Sequence, residues 1–363
     1  MAILGNRVVS QFKRMPLIER YRDFLPMTES TPVVSLLEGY TPLLRVDRLA
    51  AMISDKLTMY VKFEGMNPTG SFKDRGMTMA ISKAVEAGSK ATICASTGNT
   101  AASAAAYSAR AGLVCAVILP KGEVALGKVS QSMMHGAKVI AVDGNFDDAL
   151  RIVREITDNY PITLVNSLNP FRIEGQKTGA FEICDDLGHP PTYHAIPVGN
   201  AGNITAYWAG YKAYKAAGII DRLPTVLGFQ AAKSAPIVEG RPIANPETIA
   251  TAIRIGNPAS WKQAEAARDE SGGVIEKVTD EEITEAQKLL ASTEGVFCEP
   301  ASAASVAGVI KKAKEGFFTE KCEVVCILTG HGLKDPKRAI EICPPFIELP
   351  PDTDAVAKEM NLI

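Results

Sequence analysis

The chain has 363 residues, of which 46% are hydrophobic and 22% charged, and its formal net charge is −2. This length is enough for about two domains, and the composition is that of a soluble globular protein. The balanced charge excludes the basic surface that nucleic acids and anionic membranes require, so we expect neither as a partner.

The sequence shows no segment for export or membrane insertion. Residues 1–26 contain charged side chains and no apolar core of the kind found in signal peptides. No apolar stretch approaches the ~20 residues of a membrane span. The seven cysteines form no CxxC pair, and Cys94, Cys115 and Cys326 lie in apolar runs where we expect them to be buried. A reducing cytoplasm is therefore the expected compartment.

Short apolar segments alternate with helix-like segments from residue 90 onward. Alternation of this kind predicts an α/β fold with mostly parallel sheets. The units within 76–165 are expected to form one compact domain, and 1–75 with 166–363 a second, with the site in the cleft between them. The predicted strands cover 90–94, 113–119, 138–142, 162–165, 193–198, 225–230 and 323–328, and the predicted helices 100–111, 128–135, 146–159, 203–217, 280–292 and 301–315.

The stretch NPTGSFKDRG, residues 67–76, places one lysine in an unusual setting. A proline and a glycine interrupt the chain before Ser71, which is predicted to cap a helix. Lys73 then lies in the first turn, where the helix dipole disfavours an ammonium group, and Arg75 is expected to act in the same direction. Such a lysine is a candidate amine nucleophile for a carbonyl group, although a solvated helix-start lysine is the alternative.

Two further stretches connect a predicted strand to a predicted helix. PVGNAGN, residues 197–203, combines flexible glycines with free N–H groups at a helix start, which suits a phosphate monoester. ASTGNTA, residues 95–101, carries more polar side chains than one helix cap needs. An ordinary strand–helix turn remains the alternative for the first stretch, and a capped helix for the second.

Two more polar stretches follow predicted strands. NSLNPFRIEGQK, residues 166–177, adds amides, a hydroxyl and Arg172, which favours a second phosphate or a carboxylate. Thr329, in TGHG, follows the strand predicted over 323–328, and ligands of open α/β sheets lie beyond the carboxyl ends of strands. A turn rich in polar caps is the competing interpretation of residues 166–177.

Together these stretches resemble the fold-type-II enzymes that depend on pyridoxal 5′-phosphate, and within them the threonine synthase family. The resemblance extends from Thr41 to about Leu333. Six blocks occur in the order found in the family, and they read NPTGSFKDRG, ASTGNTAASAAAYSARAG, PKGEVALGKVSQ, NSLNPFRIEGQKT, PVGNAGN and EPASAAS.

The resemblance implies a role for each motif. It implies that Lys73 holds the cofactor covalently, that Asn99 contacts the cofactor's 3′-oxygen and that Thr329 meets its pyridine nitrogen. The cofactor phosphate would be held by the loop formed by Gly199, Asn200, Ala201, Gly202 and Asn203. Thr97 is expected to hold the substrate carboxylate. The substrate phosphate is expected at polar residues of the other turns, which are Ser96, Thr100, Asn166, Ser167 and Arg172.

The implied reaction converts O-phospho-L-homoserine and water to L-threonine and phosphate by γ-elimination and β-addition. The implied fold has a large cofactor-binding domain, 1–75 with 166–363, and a smaller mobile domain, 76–165. A homodimer is expected from the family, and no metal site is expected. A threonine or serine dehydratase, a cysteate-synthase-like enzyme acting on O-phosphoserine and a catalytically idle cofactor carrier are the alternatives.

Overall fold

The computed structural model describes residues 14–96, 98–121, 126–144, 146–167 and 169–362. Ten strands in this part of the chain form a six-stranded sheet, ordered β1-β2-β10-β7-β8-β9, and a four-stranded sheet, ordered β5-β4-β3-β6. Neighbouring strands run parallel except β1 and β2. The strands are β1 Leu43–Arg45, β2 Leu57–Phe63, β3 Ala91–Ala95, β4 Val114–Pro120, β5 Lys138–Val142, β6 Ile162–Leu164, β7 Tyr193–Pro197, β8 Thr225–Ala231, β9 Val274–Val278 and β10 Cys322–Leu328.

Helices connect the strands, and many of them pack against the two sheets. They are α1 Leu17–Arg20, α2 Asp47–Ile53, α3 Lys73–Glu86, α4 Asn99–Arg110, α5 Leu126–Met134, α6 Phe146–Asn159, α7 Pro170–Gln176, α8 Thr178–Leu187, α9 Gly202–Ala216, α10 Pro236–Glu239, α11 Trp261–Glu270, α12 Asp280–Glu294, α13 Pro300–Lys314, α14 Pro336–Ile342 and α15 Thr353–Glu359. The predicted α/β architecture with mostly parallel sheets is confirmed.

Each sheet contributes its own apolar core. Buried side chains of β2, β8 and β10 pack against α2, α12 and α13, while those of β3 and β4 pack against α3 and α4. Cys94, Cys115 and Cys326 are buried, as the apolar runs around them predicted. The sheets show which strands pair, but not where a rigid unit ends, so the division at residues 75 and 165 stays a prediction.

The start of α3 differs from the prediction in one detail. The cap position is occupied by Phe72 and not by Ser71, and the Ser71 hydroxyl is buried without a hydrogen-bond partner in the described part of the chain. The reason is tertiary, because Ser71 forms a β-bridge with Gly330 and the Phe72 N–H donates to the Thr329 carbonyl at 3.0 Å. The backbone before the helix is thus held by the segment that follows β10.

The topology gathers the predicted motifs at the carboxyl ends of parallel strands. Residues 64–73 follow β2, the turn at 199–203 follows β7 and Thr329 follows β10, all in the six-stranded sheet. Ser96 follows β3 and Asn166 follows β6 in the four-stranded sheet. Since strands in a parallel sheet end at the same edge, each sheet presents its polar turns on one side.

Candidate active site

Lys73 is the first residue of α3, and the Thr329 segment fixes its backbone. Its ammonium nitrogen lies 3.9 Å from the centre of the Phe72 ring. Burial and, to a smaller extent, the cation of Arg172 lower the pKa of Lys73 to about 7, although Glu299 acts in the opposite direction. A lysine with this pKa is substantially neutral near pH 7 and can act as a nucleophile or a base.

Arg75 does not have the role that the sequence predicted for it. Its guanidinium donates to Glu64 and to Glu182 at 2.6 Å each, and all three side chains are buried. Two carboxylates therefore compensate its charge, and the cation that disfavours protonation of Lys73 is Arg172. The expectation that Arg75 acts on Lys73 was wrong because the side chain is bound elsewhere.

Glu299 connects residues of both sheets at the site. It immediately precedes α13, is buried, and accepts hydrogen bonds from Asn99 Nδ2 at 3.1 Å and from Thr329 Oγ1 at 3.3 Å. Thr329 Oγ1 also lies 3.0 Å from Ser302 Oγ. Burial raises the pKa of Glu299, while Asn99, Lys334, Lys73 and Thr329 counteract that effect.

The turn at 199–203 presents free backbone donors. Ala201 adopts a left-handed conformation with φ 64° before α9, and the N–H groups of residues 199–201 donate to no acceptor among the described residues. The first N–H groups of α9 are free by helix geometry. A Cβ atom at Gly199 would lie 2.9 Å from Ile253 Cα, so only glycine fits there. This arrangement is chemically suited to bind an anion.

The side chains of this turn attach it to its surroundings. Asn200 donates to Ser167 Oγ at 2.9 Å and accepts from the Ala259 N–H at 2.7 Å. Asn203 is buried and donates to Gln176, and its Oδ1 atom has no partner in the described part of the chain. The side-chain amides of Asn200 and Asn203 thus hold the turn in place, while the backbone N–H groups of residues 199–201 stay available for a ligand.

Arg172 is a buried cation without a described counter-ion. Its side chain donates to the Val165 carbonyl at 3.3 Å, and within the described residues Nε has no partner. Burial lowers the pKa of Arg172 to about 10, and the Cys94 thiol has the opposite, smaller effect. A buried guanidinium in this state is costly unless an anion binds to it.

The other predicted substrate ligands lie around the same strand ends. Asn166 accepts from the Ala95 N–H at 2.9 Å and donates to the Ala95 carbonyl at 3.1 Å, so its amide braces the end of β3. The Ser96 hydroxyl accepts from the Gly98 N–H at 3.2 Å. Thr100 is partly buried in the first turn of α4. Thr97 lies outside the described residues.

Sequence reasoning assigned no role to Glu299, although it quoted the EPASAAS block that begins with it. A glutamate directly before the proline that starts a helix was the available signal. Lys334 was also missed; it donates to the Thr69 carbonyl beside the lysine loop at 3.2 Å. Within the described ranges, no three His, Cys, Asp or Glu side chains are grouped to hold a metal ion.

Comparison with known proteins identifies the family. A family model described as "Pyridoxal-phosphate dependent enzyme" matches residues 34–330. The chain belongs to this family. Curated relatives include the threonine synthase of Synechocystis sp., 60% identical over 95% of this chain and 90% of the relative, and that of Mycobacterium leprae, 55% identical over 96% of each chain.

Solved structures of pyridoxal-phosphate-dependent enzymes share the fold. Threonine deaminase isoform 2 from Solanum lycopersicum has a TM-score of 0.73 at 22% identity, covering 90% of this chain and 88% of that chain. Maize serine racemase has a TM-score of 0.72 at 20% identity, covering 86% of this chain and 95% of that chain. At such identities the likeness shows the fold alone, which confirms the predicted fold type II.

The described residues fit the cofactor that the family binds. Lys73 supplies an amine that is partly neutral near pH 7, and the turn at 199–203 has N–H groups without a described partner that could bind a phosphate. Thr329 supplies a hydroxyl at the end of β10. Arg172 adds a buried cation whose Nε atom has no partner among the described residues.

Proposed function

We propose that the protein is a threonine synthase, which converts O-phospho-L-homoserine and water to L-threonine and phosphate. The structural observation that supports this best is Arg172, a buried cation without a described carboxylate partner, in addition to a separate cradle for the cofactor phosphate. An enzyme whose substrate carries its own phosphate needs two anion sites. Similarity to curated threonine synthases over 95–96% of the chain supports the same reaction.

The reaction places specific demands on the site. The bond between Cγ and the phosphate oxygen breaks, the hydroxyl of a water molecule is added at Cβ, and Cγ ends as a methyl group with an added hydrogen. Protons must be removed at Cα and Cβ and returned at Cγ and Cα. The site therefore needs a base that can also donate, and a cation that stabilises phosphate as it leaves.

Lys73 is the proposed proton carrier. Because its pKa is about 7, its amine is divided between the neutral and the protonated form near pH 7 and can serve as base and as acid. Burial excludes water that would favour the ammonium form. The hydrogen bond from the Phe72 N–H to the Thr329 carbonyl fixes the backbone from which the lysine side chain extends.

The remaining cofactor contacts are proposed from the motifs and from their geometry. When bound, pyridoxal 5′-phosphate supplies an electron sink that stabilises negative charge on the substrate carbon. Lys73 would hold it covalently, Thr329 would face the ring nitrogen and Asn99 the 3′-oxygen. The phosphate would bind to the cradle formed by Gly199, Asn200, Ala201, Gly202 and Asn203.

The substrate phosphate is assigned to the second anion site. Arg172 would bind it with two charge-assisted hydrogen bonds, which suit a guanidinium facing a phosphate. Thr97 would hold the substrate carboxylate. The other polar residues of the turns after β3 and β6 would supply further donors to the phosphate, and they are Ser96, Thr100, Asn166 and Ser167.

Assays on three substrates test the proposal. Phosphate release from O-phospho-L-homoserine, together with threonine formation, is expected to exceed turnover of O-phospho-L-serine and of L-threonine by at least about 100-fold, or about 2.7 kcal/mol of transition-state stabilisation. Preferred turnover of L-threonine would show a dehydratase instead. Preferred turnover of O-phospho-L-serine would show a cysteate-synthase-like enzyme.

Three further expectations accompany the function. We propose a large domain of 1–75 with 166–363 and a smaller mobile domain of 76–165, since the strands of the four-stranded sheet lie within 91–164.

We propose a cytoplasmic location, which the free thiols of the described cysteines support. No helix of the described chain is long and apolar enough to cross a membrane. A homodimer is proposed from the family.

A further inference from the structure

Glu299 is buried among groups that the proposed chemistry uses, yet none of the roles above includes it. Its backbone N–H donates to the Gly330 carbonyl at 3.0 Å, and a Cβ atom at Gly330 would lie 2.5 Å from Glu299 Oε1. The carboxyl group therefore packs directly on the backbone that follows Thr329. The contacts of Glu299 with Gly330 restrict the positions that this carboxyl group can take.

Thr329 depends on Glu299 for the direction of its hydroxyl proton. The hydroxyl has one proton, and its two side-chain neighbours are Glu299 Oε1 at 3.3 Å and Ser302 Oγ at 3.0 Å. The backbone of Gly330 already satisfies Ser302, donating to Ser302 Oγ at 2.9 Å and accepting from it at 3.2 Å. The single proton of Ser302 is thus used, so Ser302 Oγ can only accept from Thr329. Of the two side-chain neighbours, only the Glu299 carboxyl group can either accept from Thr329 or donate to it.

An ionised carboxylate only accepts hydrogen bonds. Facing such a carboxylate, Thr329 donates its proton to Glu299 and offers only lone pairs to a third partner. A protonated carboxyl group can instead donate to Thr329, which frees the threonine proton for a third partner. The same two residues can therefore present either an acceptor or a donor to a ring nitrogen.

We propose that Glu299 is a positioning residue of the site, which acts through Thr329 by setting whether that hydroxyl accepts from or donates to the cofactor ring. Asn99 from α4 and the cations Lys73 and Lys334 face the carboxyl group from the other packed elements. Burial favours its neutral form and these groups favour its ionised form, so both states are accessible. The inference depends on the cofactor of the family and not on the proposed substrate.

The test follows the visible absorption of the cofactor-loaded protein, without substrate, from about pH 5 to about pH 9. Glu299→Gln is expected to shift the midpoint of the pH-dependent band by at least about 0.5 pH unit and to weaken cofactor binding about 3- to 10-fold. The matched control Glu285→Gln, which removes the same charge from an exposed site on α12, is expected to change neither.

Combining Glu299→Gln with Thr329→Val shows whether the effect of Glu299 on the cofactor passes through Thr329. If Glu299 acts through Thr329, the midpoint shift caused by Glu299→Gln falls to less than half of its wild-type size. Equal shifts in both backgrounds, or no shift in either, would overturn the proposal. If Glu299→Gln does not fold, Thr329→Ser should keep the wild-type midpoint and Thr329→Val should move it; an unmoved midpoint in Thr329→Val also overturns it.

Discussion

Lys73 and Arg172 are two basic side chains whose charges repel each other. Among the described residues, neither has a carboxylate within ion-pair distance. Each disfavours the charge of the other, and burial adds to that cost. Lysine responds by releasing its proton near pH 7, whereas arginine keeps its charge. The pair therefore combines an amine that can lose its proton near pH 7 with a cation that stays charged, as the proposed reaction requires.

Lys73→Met should stabilise the cofactor-free protein more at about pH 6 than at about pH 9. The folded pKa is about 7 and the ordinary value 10.5, so the cost of the charge is complete below pH 7 and disappears as pH rises between the two. We expect the gain to differ by about 1–2 kcal/mol in urea unfolding, since Lys73 keeps some solvent contact. Lys288→Met, on exposed α12 surface, should show no such difference.

Arg172→Ala should decrease kcat/KM on O-phospho-L-homoserine by roughly 10²–10⁴, because two charge-assisted hydrogen bonds are worth ~1.5–3 kcal/mol each. Cofactor binding should stay near wild type, since the cofactor phosphate is assigned to the turn after β7. Arg154→Ala, at an exposed position of α6, is the matched control. Loss of the cofactor, or equal loss on threonine dehydration, would make Arg172 a structural residue.

At the scale of single elements, α9 depends on the turn that precedes it. Ala201 is buried and left-handed, a conformation that costs an L-residue roughly 1–2 kcal/mol. The N–H groups of residues 199–201 in this turn donate to no acceptor among the described residues. Strain retained at a ligand cradle is common in functional sites.

Ala201→Gly should therefore raise the free energy of unfolding of the cofactor-free protein by about 0.5–1 kcal/mol, since glycine adopts positive φ without strain. Ala209→Gly, in the interior of the same helix, should lower it by about 1 kcal/mol. Urea unfolding of both variants measures the difference. A loss of stability in Ala201→Gly would show that packing of its methyl group outweighs the backbone strain.

At the scale of the whole molecule, a buried ionic network holds α3 on the six-stranded sheet. Lys62 on β2 and Arg75 on α3 both bind Glu182 on α8, at 3.1 Å and 2.6 Å, and Arg75 also binds Glu64 after β2. The Tyr40 N–H donates to Glu182 at 2.7 Å. Because Lys73 is the first residue of α3, the network that anchors Arg75 also helps to fix the backbone of the lysine.

Glu182→Gln should destabilise the protein by about 3–5 kcal/mol at neutral pH, because two buried cations would share one fewer carboxylate. Burial opposes ionisation, but Arg75 and Lys62 hold the pKa of Glu182 well below its usual range. Its stabilisation is thus complete above about pH 4.5 and lost as pH falls further. The variant should lose part of this acid sensitivity in urea unfolding at graded pH. Asp221→Asn, an exposed site, should change stability by less than about 1 kcal/mol.

Local pattern determined most of the secondary structure. The predicted strand over 138–142 and helix over 146–159 agree with β5 and α6, and the other predicted elements deviate by one or two residues. Apolar runs and the glycines that end helices are local signals, and they can be read directly from the sequence. Strands β1, β2 and β9 were not predicted. Lysine or glutamate interrupts the apolar pattern of β2 and β9, and β1 is only three residues long. The motifs also lie at the carboxyl ends of strands, as predicted.

Only the tertiary structure decided which charges at the site are free. The sequence places Arg75 two residues from Lys73, yet its charge is compensated by Glu182, which is 107 positions away. Arg172 has no such partner in the described chain, and Glu299 meets Asn99 across 200 positions. Local propensities decide where helices and strands form, but the protonation and binding capacity of a buried group depend on distances that only folding sets.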